Sequence, residues 1–274
     1  MLRASARSLA PAVASAAAGL LLLSSPCPAL QGTTTLVSVS STGGQGSFDS
    51  GGVTALSMDG RFVTFPSLAS NFVLGDMNGF HDIYVRDRAA GTTLRVSLDS
   101  NGQEGSWGSY APSISADGRF VAFHSESNLV PGDLGWTDVF VRDVQLGITV
   151  RTSVTSQGGQ AFGQSYPEKI STDSRFVVFN SEASNLVPGD TNGFWDTFVH
   201  DLQTGVTERV SVSSTGAQGN SGGAGLAISG DGRYVAFGNP ASNLVQGDTN
   251  GKQDVFVRDR WLGQTTRVSV SSLG

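Results

Sequence analysis

A chain of 274 residues with a formal charge of −6 has room for one large domain or two small ones, and it carries no basic run suited to nucleic acid. Only Lys169 and Lys252 are lysines, and Cys27 is the sole cysteine, which excludes a disulfide framework and thiolate metal sites. With 36 glycines and no long apolar helical pattern, the composition points to many short strands and turns.

Residues 1–30 come first. Arg3 and Arg7 form a charged opening, residues 12–23 are nearly all small or apolar, and residues 24–31 bring helix breakers and the small Ala29. That is the pattern of a secretory signal peptide, too short and wrongly flanked for a membrane span, with cleavage expected near Ala29. Cys27 raises a lipoprotein alternative, in which it would be acylated, but Pro26 directly before it fits such a signal poorly. No later stretch approaches the roughly eighteen apolar residues of a spanning helix. The expected location is therefore secreted or periplasmic, with no membrane span and no nucleic-acid partner.

The remainder, residues 31–274, is one unit written four times. "SMDGRFVTF", "SADGRFVAF", "STDSRFVVF" and "SGDGRYVAF" begin at Ser57, Ser115, Ser171 and Ser229, a period of 56 to 58 residues. A second marker follows each, as in "LVPGDTNGFWDTFVHD", and a third closes each, as in "ERVSVSSTGAQ". Unit boundaries fall near 47–99, 100–155, 156–213 and 214–272.

Each unit predicts four strands. The first precedes the Asp-Gly pair, which suits a tight hairpin turn because glycine accepts positive φ. The second is "RFVAF", alternating Phe120 and Ala122 with Val121 and Phe123. The third is "DVFVRD", and the fourth, "TVRTSV", is rich in β-branched residues. "TTLVSVSSTGGQ" at Thr34 matches the fourth-strand marker ahead of any complete unit, so one extra N-terminal strand is expected.

Four-stranded sheets at near-constant period are the signature of an all-β β-propeller of antiparallel blades. A parallel β-helix is the competing architecture, but its repeats are shorter and lack this hairpin. The pattern "S-x-D-G-R-[FY]-V-x-F" followed by "D-V-F-V-R-D-x-x-x-G" resembles the TolB-like, WD-like β-propeller repeats of exported bacterial proteins. The resemblance implies the fold and a binding platform, since a fold does not fix a function. The third unit departs from it with Ser174 in place of glycine and His200 in place of arginine.

Several motifs invite chemistry. The loop "G-D-x-N-G-x-x-D" sets oxygens at Asp76, Asn78 and Asp82, at Asp190, Asn192 and Asp196, and at Asp248, Asn250 and Asp254. These resemble the front half of a calcium loop without its bidentate acid. The competing reading is a turn in which Asp and Asn side chains fold back on the backbone. No cofactor is required on this reading, and calcium is the candidate ion. The unit arginines Arg61, Arg119, Arg175 and Arg233 recur per blade, which suggests a blade-to-blade salt bridge or a strand-edge charge. "GNSGG" at Gly219 has nucleophile-elbow spacing, but no helix pattern follows Ser221. His81, His124 and His200 stand at unlike repeat positions, which makes a poor metal set and suggests surface or edge sites. Trp107, Tyr110, Phe194 and Trp195 are singular loop aromatics and the candidates for a partner surface.

The expected function is a non-catalytic exported propeller that scaffolds a protein or cell-envelope component. One competing class is a glycan- or lactone-acting propeller enzyme with calcium, and another is a structural fragment of a larger multi-blade surface protein. An enzyme needs unlike polar residues converging on the axis, and His81, Glu104 and Glu168 are the residues whose positions decide this.

Overall fold

The computed structural model describes residues 34–271, so the signal segment expected at 1–30, with Cys27, lies outside the described residues. Sixteen strands follow in chain order: β1 (Ala55–Leu56), β2 (Phe62–Ser67), β3 (Asp82–Asp87), β4 (Thr92–Arg95), β5 (Ser109–Ile114), β6 (Phe120–Ser125), β7 (Asp138–Asp143), β8 (Ile148–Arg151), β9 (Ser165–Ile170), β10 (Phe176–Ser181), β11 (Asp196–Asp201), β12 (Thr207–Arg209), β13 (Ala224–Ile228), β14 (Tyr234–Asn239), β15 (Asp254–Asp259) and β16 (Gln264–Arg267). They form four antiparallel four-stranded sheets, each a simple meander of consecutive strands. These are the four blades expected from the repeat.

The repeated motifs explain the local geometry. Ser57 Oγ donates to Asp59 Oδ1 and accepts from the Phe62 amide, which closes the hairpin between β1 and β2. Equivalent bonds recur around Asp117, Asp173 and Asp231. Ser174 replaces the turn glycine of the third unit and still adopts φ 64°, a left-handed conformation that costs a non-glycine residue about 1 kcal/mol or more. The arginine after each turn reaches the aspartate ending the third strand, at 2.7 Å for Arg61–Asp87 and 2.6 Å for Arg119–Asp143, Arg175–Asp201 and Arg233–Asp259. These pairs lie within a blade, not between blades. Each guanidinium also covers the next ring, Phe62, Phe120, Phe176 or Tyr234, at 4.8 Å. The partner aspartate in turn caps the hairpin to the fourth strand, as Asp87 Oδ1 does for the amides of Ala89 and Ala90.

The core lies between blades because strand alternation gives every sheet two apolar faces. On β6, Val121 and Phe123 pack back against Ile83 and Val85 of the first blade, whereas Ala122 packs forward against the third. On β10, Val177 and Phe179 pack back, and Phe176 and Val178 pack forward on Val235 of the fourth blade. Phe123, Phe140, Phe179 and Phe198 are fully buried. Each contributes about 1.5–3 kcal/mol relative to exposure.

The segment after each fourth strand folds into a bridged turn, Leu98↔Glu104, Val154↔Gln160 and Val212↔Gln218. That turn lies along the fourth strand of the following blade. Ser100 Oγ bonds the backbone of Thr149, Ser156 Oγ that of Thr207, and Ser214 Oγ that of Thr265. The additional N-terminal segment is the same device for the first blade. It makes a single bridge, Val39↔Gln45, and Ser41 Oγ bonds the Thr93 backbone.

Candidate functional site

Two groups of side chains compete for a functional reading. The first contains the acid-rich loops. In the first blade, Asp76 and Asp82 turn inward and meet Arg95 from the end of β4, with Nη1 at 3.7 Å from Asp76, 3.1 Å from Asp82 and 2.7 Å from Glu104. Asp82 also accepts from Ser97 Oγ at 2.5 Å, and Asp76 from Tyr84 Oη at 2.6 Å. In the third blade, Arg209 binds Asp190 at 2.8 Å and Asp196 at 3.2 Å. Arg267 binds Asp248 and Asp254 at 3.2 and 3.6 Å in the fourth. The second blade lacks the asparagine yet keeps the cluster, with Arg151 at 3.7 and 3.4 Å from Asp133 and Asp138.

A guanidinium nitrogen thus sits where the carboxylates converge. Asn78, Asn192 and Asn250 hold the loop. Each accepts from the amide two residues on, that of Phe80, Phe194 or Lys252. Burial pushes the Asp138 carboxyl up to about 6, against the opposing pull of Ser153 and Arg151. Burial raises Asp82 and Asp190 as well. The signal was present in sequence as an arginine repeated at positions 95, 151, 209 and 267.

The second group occupies positions where the units differ. The fifth residue of the second strand is Pro66, His124, Asn180 or Gly238, and the residue before the third strand is His81, Thr137, Trp195 or Gln253. Register pairs Tyr110 with His124 and Tyr166 with Asn180. The seams between blades join these positions. The amides of Ser109, Ser165 and Gly223 donate to the carbonyls of His81, Thr137 and Trp195 at 2.8, 2.8 and 3.0 Å.

The result is a continuous strip of rings across three blades. His81 lies 5.2 Å from Tyr110, Tyr110 5.6 Å from His124, His124 4.9 Å from Tyr166, and Tyr166 5.6 Å from Trp195. Trp107 and Phe80 pack beside one another at 5.2 Å. At the third blade, Glu168 Oε1 accepts from Asn180 Nδ2 at 2.6 Å, while Asn180 Oδ1 accepts from the Gly225 amide and Thr197 Oγ1. Burial raises the Glu168 carboxyl and drives the His124 imidazole down to about 4, so His124 is neutral at pH 7. A β-bulge follows Tyr110, where Ala111 takes φ 48°. Bulges of this kind re-aim neighbouring side chains.

Of the expected partner residues, Tyr110 and Trp195 lie in the strip, whereas exposed Trp107 packs on Phe80 and exposed Phe194 precedes Trp195 in the chain. His81 and Glu168 join this group, whereas Glu104 belongs to the Arg95 cluster. Two histidines correct the surface reading. His124 is half-buried between two tyrosines, and His200 is buried with Nδ1 bonded to Thr207 Oγ1 at 2.8 Å, as Arg142 is bonded to Thr149. Tyr166 was not singled out from sequence. Only its position opposite the unlike Asn180 marks it. Ser221 contributes its carbonyl to Asn239 Nδ2. The surface clefts repeat from blade to blade, with Ser213–Thr215 against Asn243–Gln246 and Asp99–Asn101 against Asn128–Pro131, so they follow from the repeat.

No family model and no curated protein matches this chain. Among solved structures it is similar to a putative TolB from Agrobacterium tumefaciens, with 16% identity and a TM-score of 0.50 over 80% of this chain and 64% of that one. A structure from a study of two prolyl endopeptidases gives 16% identity and a TM-score of 0.50 over 82% of this chain and 30% of that one. TolB from Acinetobacter baumannii gives 18% identity and a TM-score of 0.47 over 84% of this chain and 45% of that one. The chain therefore spans less than two thirds of each of these proteins. The likeness shows the fold, a β-propeller. Among the described residues, no helix is long and apolar enough to cross a membrane.

Proposed function

We propose that the chain is an exported, non-catalytic propeller that binds a protein or cell-envelope component through the aromatic strip. One observation carries the reading. In a molecule built from near-identical units, five rings, His81, Tyr110, His124, Tyr166 and Trp195, line up across three blades at positions that the units do not all share. Tyrosine and tryptophan offer large rigid contact area at low entropic cost, which is why they dominate binding hot spots. Tyr110 and Trp195 are the anchors, Trp107 and Phe194 the flanks, and the neutral His124 packs beneath.

Calcium has no part in this reading. The arginine of each blade already supplies the positive charge its two aspartates need, and Asn78, Asn192 and Asn250 serve as turn-makers. We read Asp76, Asp82, Asp190, Asp196, Asp248 and Asp254 as structural ion pairs.

A second reading, glycan or lactone hydrolysis, has one observation in its favour. His124 Nδ1 is buried with no hydrogen-bond partner, and Glu168, with its raised carboxyl, lies in the adjacent blade. The experiment separates the two. Envelope extract is passed over the immobilised chain and over the Tyr110→Ser/Trp195→Ser variant, and both are assayed with chromogenic glycosides and lactones. Binding lost in the variant, without turnover in either, supports the scaffold. Turnover that His124→Gln abolishes would overturn it in favour of the enzyme.

A further inference from the structure

The seam between blades is a repeated device with a knob and a seat. In the first seam the knob is Phe62, and the seat is the Asp-Gly turn of the second blade. A Cβ on Gly118 would fall 2.1 Å from the Phe62 ring, so the ring rests directly on glycine. The third and fourth blades repeat this with Phe176 and Gly232, again at 2.1 Å. A backbone bond accompanies each, Met58 N to Ala116 O at 3.1 Å and Asp173 N to Gly230 O at 3.0 Å.

The array leaves one knob and one seat uncovered among the described residues. Tyr234 of the fourth blade stands where Phe62 and Phe176 stand, and it is 42% exposed. Behind it Ala236, Val255 and Val257 are half-exposed, whereas their second-blade equivalents Ala122, Val139 and Val141 are buried. At the other end, Leu56 is 62% exposed, whereas the equivalent Ile114 and Ile170 are each 7% exposed. Gly60, the equivalent of Gly118, has no ring against it, and the nearest atom to a Cβ there would be Arg88 Nη1 at 3.9 Å.

We propose that the fourth-blade face of one copy of this chain docks on the first-blade face of a second copy, head to tail, repeating the internal seam. The occupant is specified by continuity with that seam: the open faces carry, at the same strand positions, the ring (Tyr234) and the glycine (Gly60) whose equivalents meet at the first and third seams, with the same apolar register. Such a contact is heterologous, so it closes into a ring or propagates as a filament. Two copies exchanging both contacts make a ring of eight blades from the four in each chain, inside the roughly four-to-eight range of propellers.

Sedimentation velocity of the purified chain across micromolar concentrations tests this, with Tyr234→Lys, Leu56→Lys and an equal mixture of the two variants alongside. Both side chains are exposed, so circular dichroism and melting temperature should match the native chain. Should Tyr234→Lys melt early, Tyr234→Ser carries the same test. The native chain is expected at twice the chain mass or in longer head-to-tail assemblies, each variant alone at one chain mass, and the mixture at twice the mass again, because one intact seam remains between unlike variants. A native chain that stays monomeric overturns the proposal. So does a dimer that survives both substitutions, or one broken by Tyr234→Lys and untouched by Leu56→Lys, which would mean that like faces pair.

Discussion

The arginine clusters recur in all four blades and the aromatic strip crosses three of them, and repetition treats the two oppositely. Every blade keeps two aspartates around an arginine, even the second, where the loop is shorter and its asparagine is missing. The strip varies between blades, with proline, histidine, asparagine or glycine at one register position, although Tyr110 and Tyr166 share a first-strand position in the second and third blades. A residue needed by each unit solves a problem that each unit has, namely anchoring a long loop over its own sheet. A residue present in only some units is not required by every unit.

The largest expected effect breaks the first half of that comparison. Arg151→Met leaves Asp133 and Asp138 buried without their cation and should destabilise the chain by about 3–5 kcal/mol in urea unfolding. Adding Asp133→Asn and Asp138→Asn should return part of the loss. Arg267→Met should cost less, because that side chain is more exposed than Arg151.

The next effect concerns pH. The folded state holds His124 down at about 4, below the ordinary histidine value, so the unfolded chain binds the extra proton first. Stability from this group is therefore complete above the unfolded value of about 6.5 and is lost as pH falls from there toward 4, to an extent on the order of 3 kcal/mol. Asp138, raised to about 6, acts in the opposite sense, since its folded state keeps a proton the unfolded chain has released, and its contribution falls as pH rises from about 4 to 6. The two partly cancel in the native protein. His124→Phe should remove the first alone, leaving a chain whose melting temperature declines less between pH 6.5 and 4.5. A decline equal to that of the native chain would contradict the placement of His124.

The fold was legible in sequence because its signals are periodic. The Asp-Gly turns, the alternating second and third strands and the four-fold count all follow from residues that recur. The extra segment at Thr34 was legible as a match to the fourth-strand marker. Its place along the fourth strand of the first blade was not, because that marker straddles the end of a strand and the turn after it. The site was legible only in part. Tyr110 and Trp195 stood out as singular aromatics, but His124 and Tyr166 did not, because they become neighbours only when adjacent blades stack at 4.9 Å. In the acid loops, spacing along the chain displays the oxygens and hides Arg95, which arrives from a strand 13 residues beyond Asp82.

Smaller effects sharpen the second half of the comparison. Tyr110 makes two ring contacts and Trp195 one, each worth about 0.5–1.5 kcal/mol beyond the area buried, so Tyr110→Ser should destabilise the chain more than Trp195→Ser, and each less than Arg151→Met. The smallest is the effect of calcium. Millimolar calcium or a chelator should leave the melting temperature where it was, and a rise of several degrees with calcium would return Asp76, Asn78 and Asp82 to the role of ligands.

The most direct test sets the two regions against each other in one experiment: melting temperature and partner recovery from envelope extract, measured together for the native chain, Arg209→Met and Tyr110→Ser/Trp195→Ser. The account predicts that Arg209→Met lowers the melting temperature and still recovers the partner below that temperature, while the aromatic variant melts close to the native chain and recovers none. Recovery by the aromatic variant equal to that of the native chain would contradict it.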